Sequence, residues 1–276
     1  MTELSVDRLL DTDTVGLWDV VCKGECRHKS AEECAGATHL VFTYRGAYVR
    51  HLGSDEAVAE ANQVLFFNQG ESYRVSHPVK GGDACISLTL SEPLLQELVP
   101  KTHVREGSTL AFHRQRLRID ARAQALVALL RHSLRHKVAE TLEAEVLALT
   151  LVRRALGERT SHVARASNGR QKLVDRAKLI LTSDLGRRWA LAEIAADVGV
   201  SPVYLTQVFQ QVEGLPLYRY QLRLRLARAL DMLGRYDDLT TLSMELGFSS
   251  HSHFSSAFRQ AYGRTPKEFQ RLIQRR

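Results

Sequence analysis

The stretch Ile194-Ala195-Ala196-Asp197-Val198-Gly199-Val200-Ser201, running on through Leu205 and Phe209 to Gly214 and Pro216, decides the reading of the C-terminal third. It does so because it returns about 48 residues later. The second copy reads Leu242-Ser243-Met244-Glu245-Leu246-Gly247-Phe248-Ser249 and continues through Phe254 and Phe258 to Gly263 and Pro266. The offset grows by one residue between the turn glycines and the pair Phe209/Phe258, so the second turn carries one residue more. In each copy a short helix is expected to end at glycine, which takes a positive φ without steric cost. A serine then stands at an N-cap position, where its side chain can accept from the free amides of the next helix. In the first copy Pro202 follows, in a first turn where a missing N–H costs nothing. Each copy therefore spells a helix-turn-helix.

Periodicity divides the second helix of each copy into two faces. Leu205 and Phe209 lie one turn apart and are expected to pack back on Ile194 and Val198. Val203, Thr206, Gln207 and Gln210 are left on the other side, with short or amide side chains able to meet base edges. In the second copy Phe254 and Phe258 hold the helix, while His251, Ser252, Ser255, Ser256 and Arg259 form the candidate DNA-facing set. His251 and His253 are two apart and share no helix face, so they cannot chelate one ion. One is expected toward DNA and the other toward the hairpin core. Between the copies, Leu217–Leu233 carries leucines interleaved with Arg219, Arg223, Arg225 and Arg228. At about 1.5 Å per residue this helix spans about 25 Å. With its flanking hairpins it could set two reading helices about one DNA turn apart, roughly 34 Å. Its arginines either reach phosphate or form a solvated helix face.

Charge agrees with that placement. Residues 171–276 hold 16 Lys and Arg against 10 Asp and Glu, nearly all of the +7 carried by the 276-residue chain. Positive charge is thus concentrated where phosphate would bind. No apolar run approaches the roughly 18 residues of a membrane span, and the N-terminus lacks a signal-peptide pattern. The expectation is a cytoplasmic protein with no membrane partner and with reduced cysteines. Three of the four cysteines cluster early as Cys22, Cys26 and Cys34, with His28 among them. That spacing leaves open a metal or redox sensor or plain packing. No metal site, cofactor or catalytic residue is assigned.

The first hundred residues have another period. Residues 38–52, 57–68 and 84–90 are rich in β-branched and aromatic types, separated by turn signals at Asn68-Gln-Gly70 and Lys80-Gly-Gly-Asp83. Short strands at this spacing suggest a small barrel or double-sheet roll. From about Ser91 the period becomes helical, and Leu126, Leu130, Leu134, Val138 and Leu142 recur every fourth residue as an apolar seam. The seam packs on the β-domain, pairs two subunits, or does both. The expected fold is α+β in two domains. A β-roll occupies 1–110, a helical packing or dimerisation segment 111–157, a polar linker 158–170, and an all-α domain with two helix-turn-helix units joined by a central helix 171–276.

The C-terminal part resembles the AraC/XylS-type transcription regulators. The resemblance is carried by Leu191-Ala-Glu-Ile-Ala-Ala-Asp-Val-Gly-Val-Ser-Pro202 with Tyr204, Leu205 and Phe209, and by Leu246-Gly-Phe-Ser-Ser-His-Ser-His-Phe254 with Phe258, Tyr262-Gly263 and Thr265-Pro266. The N-terminal part is similar, less specifically, to the cupin-type sensing domain of many members, most visibly at Phe66-Phe67-Asn68-x-Gly70-x-x-Tyr73-x-x-Ser76-His77-Pro78. The resemblance implies a one-component regulator, usually a homodimer and often an activator, that binds double-stranded DNA and acts through RNA polymerase. It implies a small-molecule effector in the β-roll, for which Tyr44, His51, Tyr73 and His77 are the candidate contacts. It puts base-facing positions at Val203, Thr206 and Gln207 and at His251, Ser252 and Ser256. None of these is arginine, so no bidentate grip on guanine is available there. Two rival readings remain: a ligand-free dimerisation or docking module in the N-terminal half, and a cupin-type metalloenzyme. The second lacks the His-x-His with downstream Glu and His that metal-binding cupins use.

Overall fold

Short runs of β-branched and aromatic residues between turn glycines make the first ninety residues strands. The structure, a computed structural model, describes residues 4–24, 27–105, 110–157 and 166–274. Nine strands come first: β1 (Leu4–Asp11), β2 (Val15–Cys22), β3 (Glu33–Cys34), β4 (His39–Gly46), β5 (Tyr48–Leu52), β6 (Asp55–Ala59), β7 (Gln63–Phe67), β8 (Ser72–Ser76) and β9 (Asp83–Leu90). With β10 (Arg116–Arg118) they form two antiparallel sheets, a six-stranded one in the order β1-β2-β9-β4-β7-β10 and a four-stranded one in the order β3-β8-β5-β6. The three strand-rich stretches expected from the sequence hold β4 to β7 and β9. The strands β1, β2, β3, β8 and β10 fall outside those stretches. β10 lies inside the expected helical segment and pairs antiparallel with β7, Leu117 opposite Val64.

The middle of the large sheet, β9, β4 and β7, is buried on both faces, which is why β7 reads as an unbroken buried run. Leu40, Phe42 and Tyr44 of β4, with Ala84, Ile86 and Leu88 of β9, belong to one core. That core also holds Ala123, Val127 and Leu130 of α2 (Ala121–Arg135) and Ala144, Ala148, Leu151 and Ala155 of α3 (Thr141–Leu156). The intervening Val41 and Cys85, with Leu65 and Phe67 of β7, belong to a second core shared with Tyr48, Ala57 and Ala59 of the small sheet. A short helix, α1 (Glu92–Leu98), follows β9.

The expected apolar seam breaks in the middle. α2 ends at Arg135, and Lys137 takes a left-handed φ of 53° before α3 begins at Thr141. The break changes the helix phase, so Leu130 is buried whereas Val138, Leu142 and Val146 are 51%, 72% and 54% exposed. α3 instead turns its alanine-rich face inward. Asp120 fixes this pair of helices: its carboxylate accepts from Ala123 N at 2.9 Å as N-cap of α2 and from Arg154 Nε of α3 at 2.9 Å.

The chain divides into two compact units, Met1–Ser161 and His162–Arg276. The second consists of α4 (Asn168–Ser183), α5 (Leu191–Asp197), α6 (Pro202–Glu213), α7 (Leu217–Met232), α8 (Leu239–Glu245), α9 (His251–Tyr262) and α10 (Pro266–Gln274). The last residues of the expected linker therefore open α4. α7 buries residues on all sides, among them Tyr220, Leu224, Leu226, Ala227 and Leu230, as a central helix of a bundle must. Its Arg225 is taken up inside the unit, donating to the carbonyls of Leu185 (2.7 Å), Arg187 (2.8 Å) and Gly247 (3.0 Å). Arg228 is paired with buried Asp231. Two of the four arginines considered for phosphate contact thus have structural roles.

Candidate nucleic-acid interface and ligand cavity

Both hairpins are built by the same local chemistry. α5 ends in Gly199 at φ 76° and α8 in Gly247 at φ 73°. Ser201 caps α6, its Oγ accepting from Tyr204 N at 3.2 Å. The second copy differs from the expected register: the cap of α9 is Ser250, whose Oγ accepts from His253 N at 3.1 Å, and not Ser249. Ser249 is the added turn residue, and its hydroxyl meets His253 Nδ1 at 3.1 Å. This accounts for the offset growing by one. His253 is exposed, with its ring edge-on to Phe248 at 5.5 Å. Ser201→Ala and Ser250→Ala are each expected to cost about 1 kcal/mol in urea unfolding. Ser249→Ala should cost a few tenths at most; the converse order for Ser249 and Ser250 would contradict this register.

The faces divide as the periodicity requires. Leu205, Val208, Phe209 and Val212 of α6 are buried, and Phe209 stands edge-on to Tyr220 of α7 at 5.2 Å. Val203 is 68% exposed, and Gln207 and Gln210 are exposed beside it. Thr206 is half-buried and donates its hydroxyl to Pro202 O at 3.0 Å, so it turns only a methyl and oxygen lone pairs outward. On α9, Phe254, Ala257 and Phe258 are buried, while His251, Ser252, Ser256 and Arg259 are exposed and Ser255 is half-buried. α6 is anchored through charge as well. Glu213, near its end, lies 2.5 Å from Nζ of fully buried Lys178 on α4.

In the first unit a cavity of about 470 Å³ opens between the sheets, a size suited to a small molecule. Its apolar walls include Val20, Val41, Phe67 and Val75; its polar groups include Glu33, His39, Tyr48, Tyr73, His77 and Asp83. His39 stacks on Phe67 at 4.8 Å, and burial lowers its pKa. Tyr73 donates to Glu33 Oε2 at 3.0 Å, and burial holds its phenol above the usual range. Arg50, fully buried, lies 4.1 Å from the Phe67 ring centroid and pairs with Glu71.

The four candidate effector contacts separate. Tyr73 and His77 line the cavity; Tyr44 and His51 do not. Tyr44 shares the parity of Leu40 and Phe42, so it points to the helix-covered face and donates to buried Asp19 at 2.7 Å. His51 is held by Glu56 (3.0 Å) and Ser76 (2.8 Å). The reading from sequence missed His39, Tyr48 and Asp83. Counting alternate positions back from Val41 and Cys85 would have found His39 and Asp83. Of the early cysteine cluster, Cys22 is buried in the cavity wall, Cys34 and His28 are exposed, and Cys26 lies outside the described residues.

The second unit thus presents two helices, each entered through a glycine turn and capped by serine. Comparison with known proteins gives the class: a family model described as a helix-turn-helix domain matches residues 194–272. The chain is 27% identical over 237 residues to the HTH-type transcriptional regulator GadX of Escherichia coli, covering 84% of this chain and 82% of that one. It is 28% identical over 115 residues to the Msm operon regulatory protein of Streptococcus mutans, of which the match spans 41%. A crystal structure of an AraC-type regulator from Chromobacterium violaceum is 30% identical and covers 40% of this chain and 98% of that one, with a TM-score of 0.37. Residues 194–272 thus carry a helix-turn-helix domain, and the proteins this chain is similar to are transcription regulators. Among the described residues, no helix is long and apolar enough to cross a membrane.

Proposed function

We propose that α6 and α9 enter successive major grooves of double-stranded DNA and that the β-roll cavity, a cupin-like sensing site, binds a small-molecule effector that controls this. The supporting observation is the pairing of two glycine-turned, serine-capped helices whose outward residues are free of core packing. Gln207 can address adenine with its amide, and Val203 can meet a thymine methyl. On α9 the outward set is mostly serine and histidine with Arg259, suited to phosphate contact and weak base reading. Gln207→Ala is expected to lose about 1–3 kcal/mol of preference at one base pair while general affinity persists. A selection from randomised operators reads this; an unchanged base profile would remove Gln207 from that role.

An effector with higher affinity for one arrangement of the protein shifts its population toward that arrangement, and transcription activation through RNA polymerase follows from the DNA-bound form. Exposed Leu142 and Val146, four residues apart on α3, give a homodimer its apolar contact. The rival reading of a ligand-free N-terminal module has the same apolar contact in its favour. The cavity, with its mixed polar and apolar walls, favours the effector reading.

A further inference from the structure

We propose that the cavity wall holds a divalent metal ion of borderline softness, of which Zn²⁺ is the type, through Cys22 Sγ, His77 and Asp83. This rests on the effector reading of the cavity only for its regulatory consequence. The three residues come from separate parts of the chain. Cys22 ends β2 and sits directly opposite Asp83, the first residue of β9, while His77 follows β8 on the facing sheet. Their candidate ligand atoms all lie within 4.8 Å of one another, and all three side chains are buried. Among the described residues no other group of this kind is found.

Three features mark the cluster as a ligand set rather than ordinary packing. Asp83 is only 4% exposed, yet its Oδ1 receives no well-directed hydrogen bond, although His77 Nε2 lies 2.8 Å away. A buried carboxylate oxygen in that position is costly unless a cation or donor faces it. The spacing also suits a small ion: zinc bonds of about 2.0–2.3 Å place tetrahedral ligand atoms roughly 3.3–3.8 Å apart. To reach that range the 2.8 Å His77–Asp83 contact opens and any contact near the 4.8 Å limit closes. The donor set is selective as well, since a thiolate with an imidazole favours zinc-like ions over magnesium or calcium. Binding displaces the thiol proton of Cys22.

Three protein ligands leave a fourth position, which here faces the cavity. A structural zinc site closes with four protein ligands, whereas a site that receives a further molecule keeps one open. The metal would therefore serve as the polar anchor for an anionic or chelating effector, with the apolar walls at Val20, Val41 and Phe67 receiving the rest of it.

The test is titration of the full chain with Co²⁺ alone, following cobalt–thiolate absorption, with Zn²⁺ as competitor. One Co²⁺ per chain is expected, with a thiolate band that Zn²⁺ abolishes. Cys22→Ser should remove the band, Asp83→Asn should weaken uptake at least about 10-fold, and Cys34→Ser should change nothing. Melting of each metal-free variant verifies folding, and the isosteric Asp83→Asn reads the site should Cys22→Ser fail to fold. Absence of uptake, or the same band and affinity in Cys22→Ser, overturns the proposal. DNA affinity measured with and without Zn²⁺ on the same samples tests the effector reading separately. A Cys22-dependent metal that leaves DNA affinity unchanged supports the site while removing its regulatory role.

Discussion

Gly247→Ala is expected to destabilise the C-terminal unit by about 4 kcal/mol or more and to abolish DNA binding, whereas Gly199→Ala should cost about 1–2 kcal/mol. Both glycines occupy the left-handed region, so both substitutions carry the backbone penalty. They differ in surroundings. A Cβ at Gly199 meets nothing within 4 Å, while one at Gly247 lies 2.2 Å from the carbonyl oxygen of Gly186 and 2.8 Å from the Arg225 guanidinium. The carbonyl is backbone and cannot swing aside. Moving Gly247 also pulls on the carbonyl that Arg225 Nη1 donates to, and so on the contact joining α7 to the second hairpin. Urea unfolding with a DNA mobility shift reads both effects. Equal losses at the two glycines would show that the close approach to Gly186 does not constrain the turn.

Lys178→Met is expected to cost about 3–5 kcal/mol, because it strands acid groups in the interior. Lys178 is fully buried on α4, with Nζ 2.5 Å from Glu213, 3.6 Å from Asp175 and 5.4 Å from the Tyr220 ring. Glu213 stands at the end of α6, so the lost charge acts on the helix that carries Val203 and Gln207. Lys178→Met combined with Glu213→Leu should recover most of the stability, since an apolar pair of similar volume removes the unpaired charge. Thermal unfolding of the two single variants and the double variant measures this. A double variant no more stable than Lys178→Met would mean that the ion pair is not the principal cost.

The repeat made the C-terminal unit legible because its rules are local. A left-handed glycine, a capping serine and a 3.6-residue face each lie within one helical turn of one another. The cap lies at Ser250 and not Ser249 because a one-residue insertion in the turn can be placed on either side of the serine pair without changing the apolar spacing. The N-terminal unit was harder. β1 and β2 were missed, although β2 carries the apolar Val15, Leu17, Val20 and Val21. The seam was drawn through a helix break because a period of four continues across residues 136–140, while the left-handed turn at Lys137 changes the phase. The cavity depended on which face of the large sheet each strand residue occupies. Tyr44, a candidate contact from sequence, shares the parity of Phe42, which sends it to the helix-covered face. Cys22, His77 and Asp83 come together only through sheet pairing, which no spacing along the chain encodes.

On the proposed mode of binding one chain reads two successive grooves, and a footprint of the purified protein on DNA upstream of its own and neighbouring genes, at near-physiological salt, reads this out. Two protected stretches about one helical turn apart on one face of the duplex are expected, with the stretch assigned to α6 lost in a variant altered at Val203 and Gln207. No discrete protection by a folded protein at any effector or metal condition, with only salt-sensitive general binding, would contradict the account.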